Sequence, residues 1–221
     1  MTIPIKCVLF DLDGTLFDTS LDFAYALEQT CIEFGVNNVD YKQLREIISE
    51  GGQAMIELAF PNATEKERMI RKEYFLETYS QNIAKYTQLF TGLEQGLKYL
   101  ADKNIPWGIV TNKPAWLTKK LIAKQKFSVS PKTVISGDTL RESKPHPAPL
   151  ILAAKECGVA AENCLYLGDH SRDILAGKNA NMQTGAALFG FLPLNTNAKK
   201  EWRADFNFET PQNISEFLKG L

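Results

Sequence analysis

The chain has 221 residues, and its 25 lysines and arginines nearly balance 26 aspartates and glutamates, which gives a net charge of −1 at pH 7. This length can bury a sizeable core in one domain, or in one domain with a smaller companion. The mixed charges give no basic surface for nucleic acid, and no apolar stretch approaches membrane-spanning length. We therefore expect a small molecule as the partner, with no nucleic acid and no membrane, and the sequence indicates no protein partner.

The N-terminus and the cysteines indicate the compartment. Residues 1–6 lead into an apolar stretch without a charged region, an apolar signal core or a cleavage site. The cysteines form no CxxC pair and have no histidine at zinc-finger spacing; they are Cys7, Cys31, Cys157 and Cys164. We expect a cytoplasmic protein with reduced cysteines.

The first predicted element is a buried strand, because residues 7–10 form a short apolar run rich in valine, leucine and phenylalanine. It ends in Asp11 and Asp13, and the period of two in a strand brings both carboxylates to the same side. Two carboxylates this close repel each other unless a cation or a shared proton relieves them. The alternative is that Asp13-Gly14 forms only a tight turn.

The spacing of apolar residues over 18–86 predicts four helical segments and no convincing strand. A glycine-rich stretch, residues 49–53, separates the second segment from the third. The fourth begins with Thr64 and Glu67 at the spacing of a capping box. The predicted apolar face of the first segment is Leu21, Ala24, Leu27, Cys31 and Phe34, and that of the fourth is Met69, Leu76, Tyr79 and Ile83.

From residue 92 onward, helices alternate with strands. The predicted strands cover residues 107–111, 133–136, 164–168 and 184–188, with a weak one at 204–208. This alternation is typical of an α/β protein with a parallel sheet covered by helices on both faces. Since the first strand belongs to this sheet, the all-helical block is an insertion directly after it.

Ligands of such sheets bind beyond the carboxyl ends of the strands, so the residues that follow each strand test for a site. Acids, a hydroxyl group and a lysine follow four separate strands, and we expect them to meet at one edge. They are Asp11 and Asp13; Thr111, Asn112 and Lys113; Asp138 and then Lys144-Pro145; and Asp169 and Asp173.

Several carboxylates without a thiolate or a histidine pair are hard oxygen ligands, which suit Mg²⁺ and favour a phosphorylated substrate. Asp11 could act as a nucleophile that forms an aspartyl-phosphate. Asp13 could protonate the leaving alkoxide and later take a proton from water. Lys144 and the Thr111 hydroxyl supply positive charge and a donor for the phosphoryl group, and Pro145 keeps the Lys144 backbone extended.

These residues match a known pattern. The sequence resembles the haloacid dehalogenase-like superfamily of phosphohydrolases over nearly its whole length, through Asp11-x-Asp13-Gly14-Thr15, Thr111-Asn112, Lys144-Pro145 and Gly168-Asp169-x3-Asp173. The resemblance implies a Rossmann-like core of residues 1–17 and 87–221, which holds the catalytic site, and a helical cap domain of residues 18–86.

By the same resemblance, Asp11 is the nucleophile and Asp13 the acid and base. Mg²⁺ is held by Asp11, the Asp13 backbone carbonyl and Asp169, with Asp173 nearby or acting through water. The phosphoryl oxygens are bound by Thr111, Asn112 and Lys144. Members that cleave carbon-halogen bonds lack the acid at the position of Asp13, so its presence favours an oxygen leaving group.

Within the superfamily, the sequence resembles the phosphoglycolate phosphatase-like members. Residues 48–55, 107–114, 189–191 and 201–205 look like those of N-acetylmuramate 6-phosphate phosphatases, and the sequence does not separate the two substrates. The expected function is a Mg²⁺-dependent phosphatase for a small phosphomonoester, and the alternatives are a sugar phosphomutase and a non-catalytic binding protein.

Two further groups have open interpretations. Glu50, Gly51 and Gly52 form either a substrate-specificity loop or a plain interhelical turn. His170, next to Asp169, is expected to be solvated or hydrogen-bonded rather than a metal ligand.

Overall fold

A computed structural model describes residues 4–37, 39–193 and 196–221. Three of the six N-terminal residues considered above, residues 1–3, lie outside the described part. The described residues form eight strands: β1 (Cys7–Phe10), β2 (Phe17–Asp18), β3 (Gln88–Leu89), β4 (Trp107–Val110), β5 (Thr133–Ile135), β6 (Cys164–Gly168), β7 (Gln183–Ala187) and β8 (Phe206–Phe208).

The same residues form ten α-helices: α1 (Ser20–Glu33), α2 (Tyr41–Ile47), α3 (Gly52–Ala59), α4 (Glu65–Asn82), α5 (Leu93–Asp102), α6 (Ala115–Ala123), α7 (Ala148–Cys157), α8 (Ser171–Asn179), α9 (Ala198–Glu201) and α10 (Pro211–Lys219). None of these helices is long and apolar enough to cross a membrane. Short 3-10 turns cover Ile48–Glu50 and Ala161–Asn163.

Six strands form one sheet in the order β5-β4-β1-β6-β7-β8, and all neighbouring pairs are parallel. β1 is central, and its residues are completely buried. Val8 and Phe10 pack in one core with residues of α5 and α10, whereas Cys7 and Leu9 pack in another with residues of α7 and α8. The predicted α/β fold, with helices on both faces of a parallel sheet, is therefore confirmed.

Along the chain, helices α1 to α4 come between β1 and β4, which is the next strand of the main sheet. β2 and β3 pair antiparallel where the chain enters and leaves this helical block. Thr64 caps α4 in the predicted capping box with Glu67. The four helices agree with the insertion expected from the sequence, and the division into a core and a cap at residues 17/18 and 86/87 stays a prediction.

The buried faces of α1 and α4 differ from the prediction in part, since Leu27, Cys31, Tyr79 and Ile83 are buried as expected. Leu21 and Met69 were expected to face inward, but they are 51% and 64% exposed. Phe23 of α1 is buried instead, and its ring stacks on that of Tyr79, with centroids 4.3 Å apart. Contact between aromatic rings of the two helices therefore sets which faces are buried, and neither helix shows this contact in its own periodicity.

The structure also differs from the prediction at the ends of two strands and in the burial of one cysteine. The predicted strands at 107–111 and 133–136 end one residue early, because Thr111 and Ser136 belong to the loops at the edge of the sheet. All four cysteines are free thiols, and Cys157 is only partly buried.

Candidate active site

Lys144 joins acids from two distant parts of the chain. Its Nζ lies 2.9 Å from Asp11 Oδ1 and 2.7 Å from Asp173 Oδ1. It also lies 2.8 Å from the Tyr166 hydroxyl and 3.2 Å from the Val110 carbonyl oxygen. Burial alone would lower the pKa of Lys144, but the two carboxylates together raise it. Lys144 is therefore a charged ammonium group at the edge of the sheet.

Asn112 holds the loop that carries Lys144. Its amide donates to the Lys144 carbonyl oxygen and accepts from the Lys144 backbone N–H, both at 3.0 Å. Asn112 was predicted to bind phosphoryl oxygens, and its side chain binds the backbone of Lys144. Asp138 lies outside this group, because its carboxylate accepts from Ala115 N at the start of α6 at 2.7 Å.

Asp11, Asp169 and Asp173 form a buried cluster in which one carboxylate oxygen from each lies within 4.8 Å of the others. Burial raises the pKa of Asp11. Burial also raises the pKa of Asp169, to about 7, and the nearby Asp11 and Asp173 carboxylates add to the effect. Crowded, buried carboxylates are stabilised by a cation, and three hard oxygen donors fit Mg²⁺. The Asp13 carboxylate is not in this cluster, and only its backbone carbonyl was expected to bind the metal.

Three groups orient Asp169. The Thr15 hydroxyl donates to Oδ1 at 3.0 Å, and the Ser49 hydroxyl and the Phe191 N–H donate to Oδ2 at 3.0 and 2.9 Å. Gly14 has φ of +81°, and a Cβ at this position would clash with the Asp169 carboxylate. Only glycine therefore fits between the two aspartate-bearing loops.

Lys113 was given no role from the sequence, yet it binds the candidate acid and base. Its Nζ lies 3.0 and 3.2 Å from the two carboxylate oxygens of Asp13 and donates to the Tyr79 hydroxyl at 2.8 Å. It also lies 4.5 Å from the centroids of the Phe23 and Tyr79 rings. Burial lowers the pKa of Lys113, and the Asp13 carboxylate opposes this shift. The lysine therefore connects Asp13 to α1 and α4.

The turn at residues 48–52 contacts the loop that follows β6. Glu50 Oε1 lies 2.8 Å from His170 Nε2, and Glu50 Oε2 lies 3.9 Å from Arg172 Nη1. Arg172 also donates to the Ser49 carbonyl oxygen. Gly51 has φ of 90° and ψ of 179°, a conformation that is essentially restricted to glycine. Glu50 therefore holds this turn against the sheet, and His170 is hydrogen-bonded as expected.

A cavity of about 290 Å³ lies between the strand ends and the helical block. Asp11, Asp13 and Thr111 line its side at the sheet. The turn with Glu50, Gly51 and Gly52 lines another side, and α1, α3 and α4 contribute apolar side chains. The cavity thus gives a small molecule access to the candidate nucleophile while covering it with helices.

Sequence reasoning assigned no role to Thr15, Ser49, Lys113 or Phe191. Thr15 and Lys113 are next to or within the motifs that were identified, so their positions carried a signal. Ser49 and the Phe191 N–H act through contacts 120 and 22 residues away in the chain, and no local pattern reveals them.

The comparison with known families identifies the class of protein to which the chain belongs. A family model described as haloacid dehalogenase-like hydrolase matches residues 8–187. The protein therefore belongs to the haloacid dehalogenase-like hydrolase family.

Its relatives narrow the class. The chain is 39% identical over 211 residues to a phosphoglycolate phosphatase of Xanthomonas campestris pv. campestris, covering 96% of this chain and 95% of the relative. It is 33% identical over 216 residues to an N-acetylmuramic acid 6-phosphate phosphatase of Pseudomonas putida, covering 97% and 96%. The resemblance seen in the sequence is confirmed, and so is the enzyme class, a phosphoric monoester hydrolase.

A solved structure described as a predicted phosphoglycolate phosphatase from Haemophilus somnus has the same fold. Its TM-score is 0.84 at 24% identity, and the match covers 96% of this chain and 97% of the other.

Proposed function

We propose that the protein is a Mg²⁺-dependent phosphatase that hydrolyses a small phosphomonoester, of the phosphoglycolate type, through an aspartyl-phosphate on Asp11. The observation that carries this proposal is the position of Asp11, paired with the buried Lys144 next to two further carboxylates at the base of the covered cavity. The relatives named phosphoglycolate phosphatase support the substrate class.

In the first half-reaction, Asp11 attacks phosphorus. Lys144 Nζ and Leu12 N both contact Asp11 Oδ1, and no donor in the described residues is recorded on Oδ2, which is the attacking oxygen. The bond between phosphorus and the leaving oxygen breaks, and Asp13 gives that oxygen a proton. Thr111 Oγ1 accepts from Lys113 N at 3.1 Å, which leaves its own hydrogen for a phosphoryl oxygen.

In the second half-reaction, Asp13 takes a proton from water while the water oxygen attacks phosphorus. The bond between phosphorus and Asp11 breaks, which releases inorganic phosphate and restores the carboxylate. Lys144 stabilises the negative charge in both steps. Asp11, Asp169 and the Asp13 carbonyl would hold Mg²⁺, with Asp173 direct or through water, and the ion would supply further positive charge to the phosphoryl group.

The helical block acts as a cap that excludes water and selects the substrate. Its turn at residues 48–52 lies against the catalytic edge through Ser49 and Glu50. The four free thiols suit a reducing compartment, so we propose the cytoplasm as the location.

The second candidate is N-acetylmuramate 6-phosphate phosphatase activity. The relative from Pseudomonas putida favours it, because its similarity extends over 97% of this chain. A mutase would use the same catalytic groups but return the phosphoryl group to a sugar, so product analysis separates it from a phosphatase.

A substrate panel with Mg²⁺ tests the proposal. We expect release of inorganic phosphate from 2-phosphoglycolate or N-acetylmuramate 6-phosphate in preference to hexose phosphates, and no release in EDTA. Asp11→Asn should abolish turnover while its circular dichroism spectrum stays unchanged. Turnover by this variant, or full activity in EDTA, would contradict the proposal.

A further inference from the structure

The charges that line the cavity are paired, with one exception. Each acidic side chain has a basic partner: the pairs are Asp11–Lys144, Asp13–Lys113 and Glu50–Arg172, at 2.9, 3.0 and 3.9 Å. Lys72 of α4 also lines the cavity. In the part of the chain that the structure describes, it is the only basic lining residue without a recorded ion pair or hydrogen bond.

The position of Lys72 on its helix explains why it has no acidic partner. Side chains three and four residues apart are neighbours on a helix, whereas adjacent residues do not face each other. The neighbours of Lys72 at these spacings are Arg68, Met69, Phe75 and Leu76, and none is acidic. Lys72 is half-buried and makes no ion pair with these neighbours. It also borders an open groove on α4 that Glu73 and Glu77 line, and no ion pair joins it to either.

Lys72 belongs to the face of α4 that borders the cavity. Phe75 and Leu76 line the same cavity, and Phe75 is completely buried. Phe23 and Met55 add apolar surface beside them. A cation beside apolar side chains attracts an anionic group of a ligand more strongly than a cation in open water does, because less water competes there.

The phosphoryl group does not need Lys72. Lys144 and the proposed Mg²⁺ ligands lie at the strand ends, together with Asp11. Lys72 lies on the helical side of the cavity, so a small ligand whose phosphate reaches Asp11 presents its other end to α4.

We propose that Lys72 binds a carboxylate of the substrate, which makes the substrate class phosphorylated carboxylic acids. This inference rests on the proposed function. It applies to both candidate substrates, since 2-phosphoglycolate and N-acetylmuramate 6-phosphate each carry a carboxylate besides the phosphate. Lys72 is then the residue that separates them from neutral phosphomonoesters.

Matched substrate pairs test this role. Ethyl phosphate replaces the carboxylate of 2-phosphoglycolate by a methyl group, and N-acetylglucosamine 6-phosphate lacks the lactyl group of N-acetylmuramate 6-phosphate. kcat/KM is measured for both pairs with the unsubstituted protein, Lys72→Met, Lys72→Arg and the control Lys66→Met. Lys66 is exposed on the same helix and does not line the cavity.

We expect Lys72→Met to lower kcat/KM for the preferred carboxylated substrate by roughly 10- to 100-fold, the effect of one hydrogen bond to a charged group. Its neutral partner should change by less than about 2-fold, since it makes no such bond. Lys72→Arg should retain most of the preference, and Lys66→Met all of it. An equal loss on both members of the pair, or no loss, would overturn the role of Lys72.

Measuring ligand binding without turnover tests the role of Lys72 independently of the proposed phosphatase activity. Calorimetric titration of the same four phosphate compounds into Asp11→Asn, with and without Lys72→Met, measures the preference without turnover. If Lys72→Met removes this binding preference, and the unsubstituted protein hydrolyses none of the four compounds with Mg²⁺ present, the phosphatase proposal is rejected and the carboxylate site is kept. Turnover without any preference for carboxylates would reject the site and keep the phosphatase.

Discussion

The roles of single residues at the site depend on their partners. Lys144 compensates two buried carboxylates, Asp11 and Asp173, and is itself completely enclosed. Removing one member of such a group leaves uncompensated charge in the interior, which is more damaging than the loss of a surface ion pair.

We expect Lys144→Met to lower kcat at least about 100-fold, because the phosphoryl charge loses a fixed cation. In EDTA, the variant should also lose about 3 kcal/mol of unfolding free energy, because two buried carboxylates lose their partner. Urea denaturation and steady-state kinetics measure both effects. Lys155→Met on the exposed side of α7 is the control and should change neither. Unchanged kcat in Lys144→Met would contradict the assignment.

The role of Asp13 predicts a dependence on the leaving group. Asp13→Asn should lower kcat for alkyl phosphates about 100-fold or more, since their alkoxide needs a proton. With p-nitrophenyl phosphate, whose leaving group needs none, the first step should remain fast and the second slow. Stopped-flow absorbance should then show a burst of one nitrophenolate per site. An equal slowing of the first step for both substrates would argue against Asp13 as the acid.

The motifs and most of the residues that meet at the site could be predicted from the sequence. What could not be predicted was how these residues hold one another. Asn112 binds the backbone of Lys144, 32 residues away, and Lys113 binds Asp13, 100 residues away. Such contacts depend on the order of strands in the sheet, which no local pattern specifies.

At the scale of elements, the turn at residues 48–52 is one contact between the helical block and the strand ends that carry the candidate site. Glu50 is 46% exposed, so its pairing with His170 and Arg172 is screened by solvent and contributes less than about 1 kcal/mol. We therefore expect this pairing to affect how the helical block lies against the strand ends far more than it affects the overall fold.

Glu50→Ala should therefore lower kcat/KM by about 3- to 5-fold, as expected when a closed state loses up to about 1 kcal/mol. The unfolding free energy should change by less than about 1 kcal/mol. Hydrogen exchange of residues 48–52 should become faster. The control Glu73→Ala, on the exposed face of α4, should change none of these. Unaltered exchange in Glu50→Ala would mean that Glu50 does not hold the turn.

Element types could be predicted better than buried faces. The alternation after residue 92 and the capping box at Thr64 identified strands and a helix start correctly. Leu27, Cys31 and Tyr79 are buried as predicted. The burial of Phe23 could not be predicted, because its ring stacks on Tyr79 of another helix. The two-residue strands β2 and β3 are too short to leave a period in the sequence.

At the scale of the whole molecule, metal binding and stability are linked. A ligand that binds only the folded protein stabilises it, by about 2.7 kcal/mol at 100 times its dissociation constant. For a chain of this size, that corresponds to a rise in Tm of roughly 5 °C or more. The Asp11, Asp169 and Asp173 cluster is the site that we propose for Mg²⁺.

We expect saturating Mg²⁺ to raise Tm by about this amount in the unsubstituted protein and not in Asp169→Asn. Differential scanning calorimetry measures the shift. Asp102→Asn, an exposed residue at the end of α5, is the control and should keep it. An equal shift in Asp169→Asn would place the ion elsewhere.

The most direct test of the central claim is to trap the phosphoryl group. Asp13→Asn, mixed with p-nitrophenyl phosphate and Mg²⁺ and quenched in acid, should yield a phosphorylated protein. Mass spectrometry of its peptides should locate the phosphoryl group on Asp11. Phosphorylation of another residue, or continued turnover without any phosphorylated protein, would contradict the account.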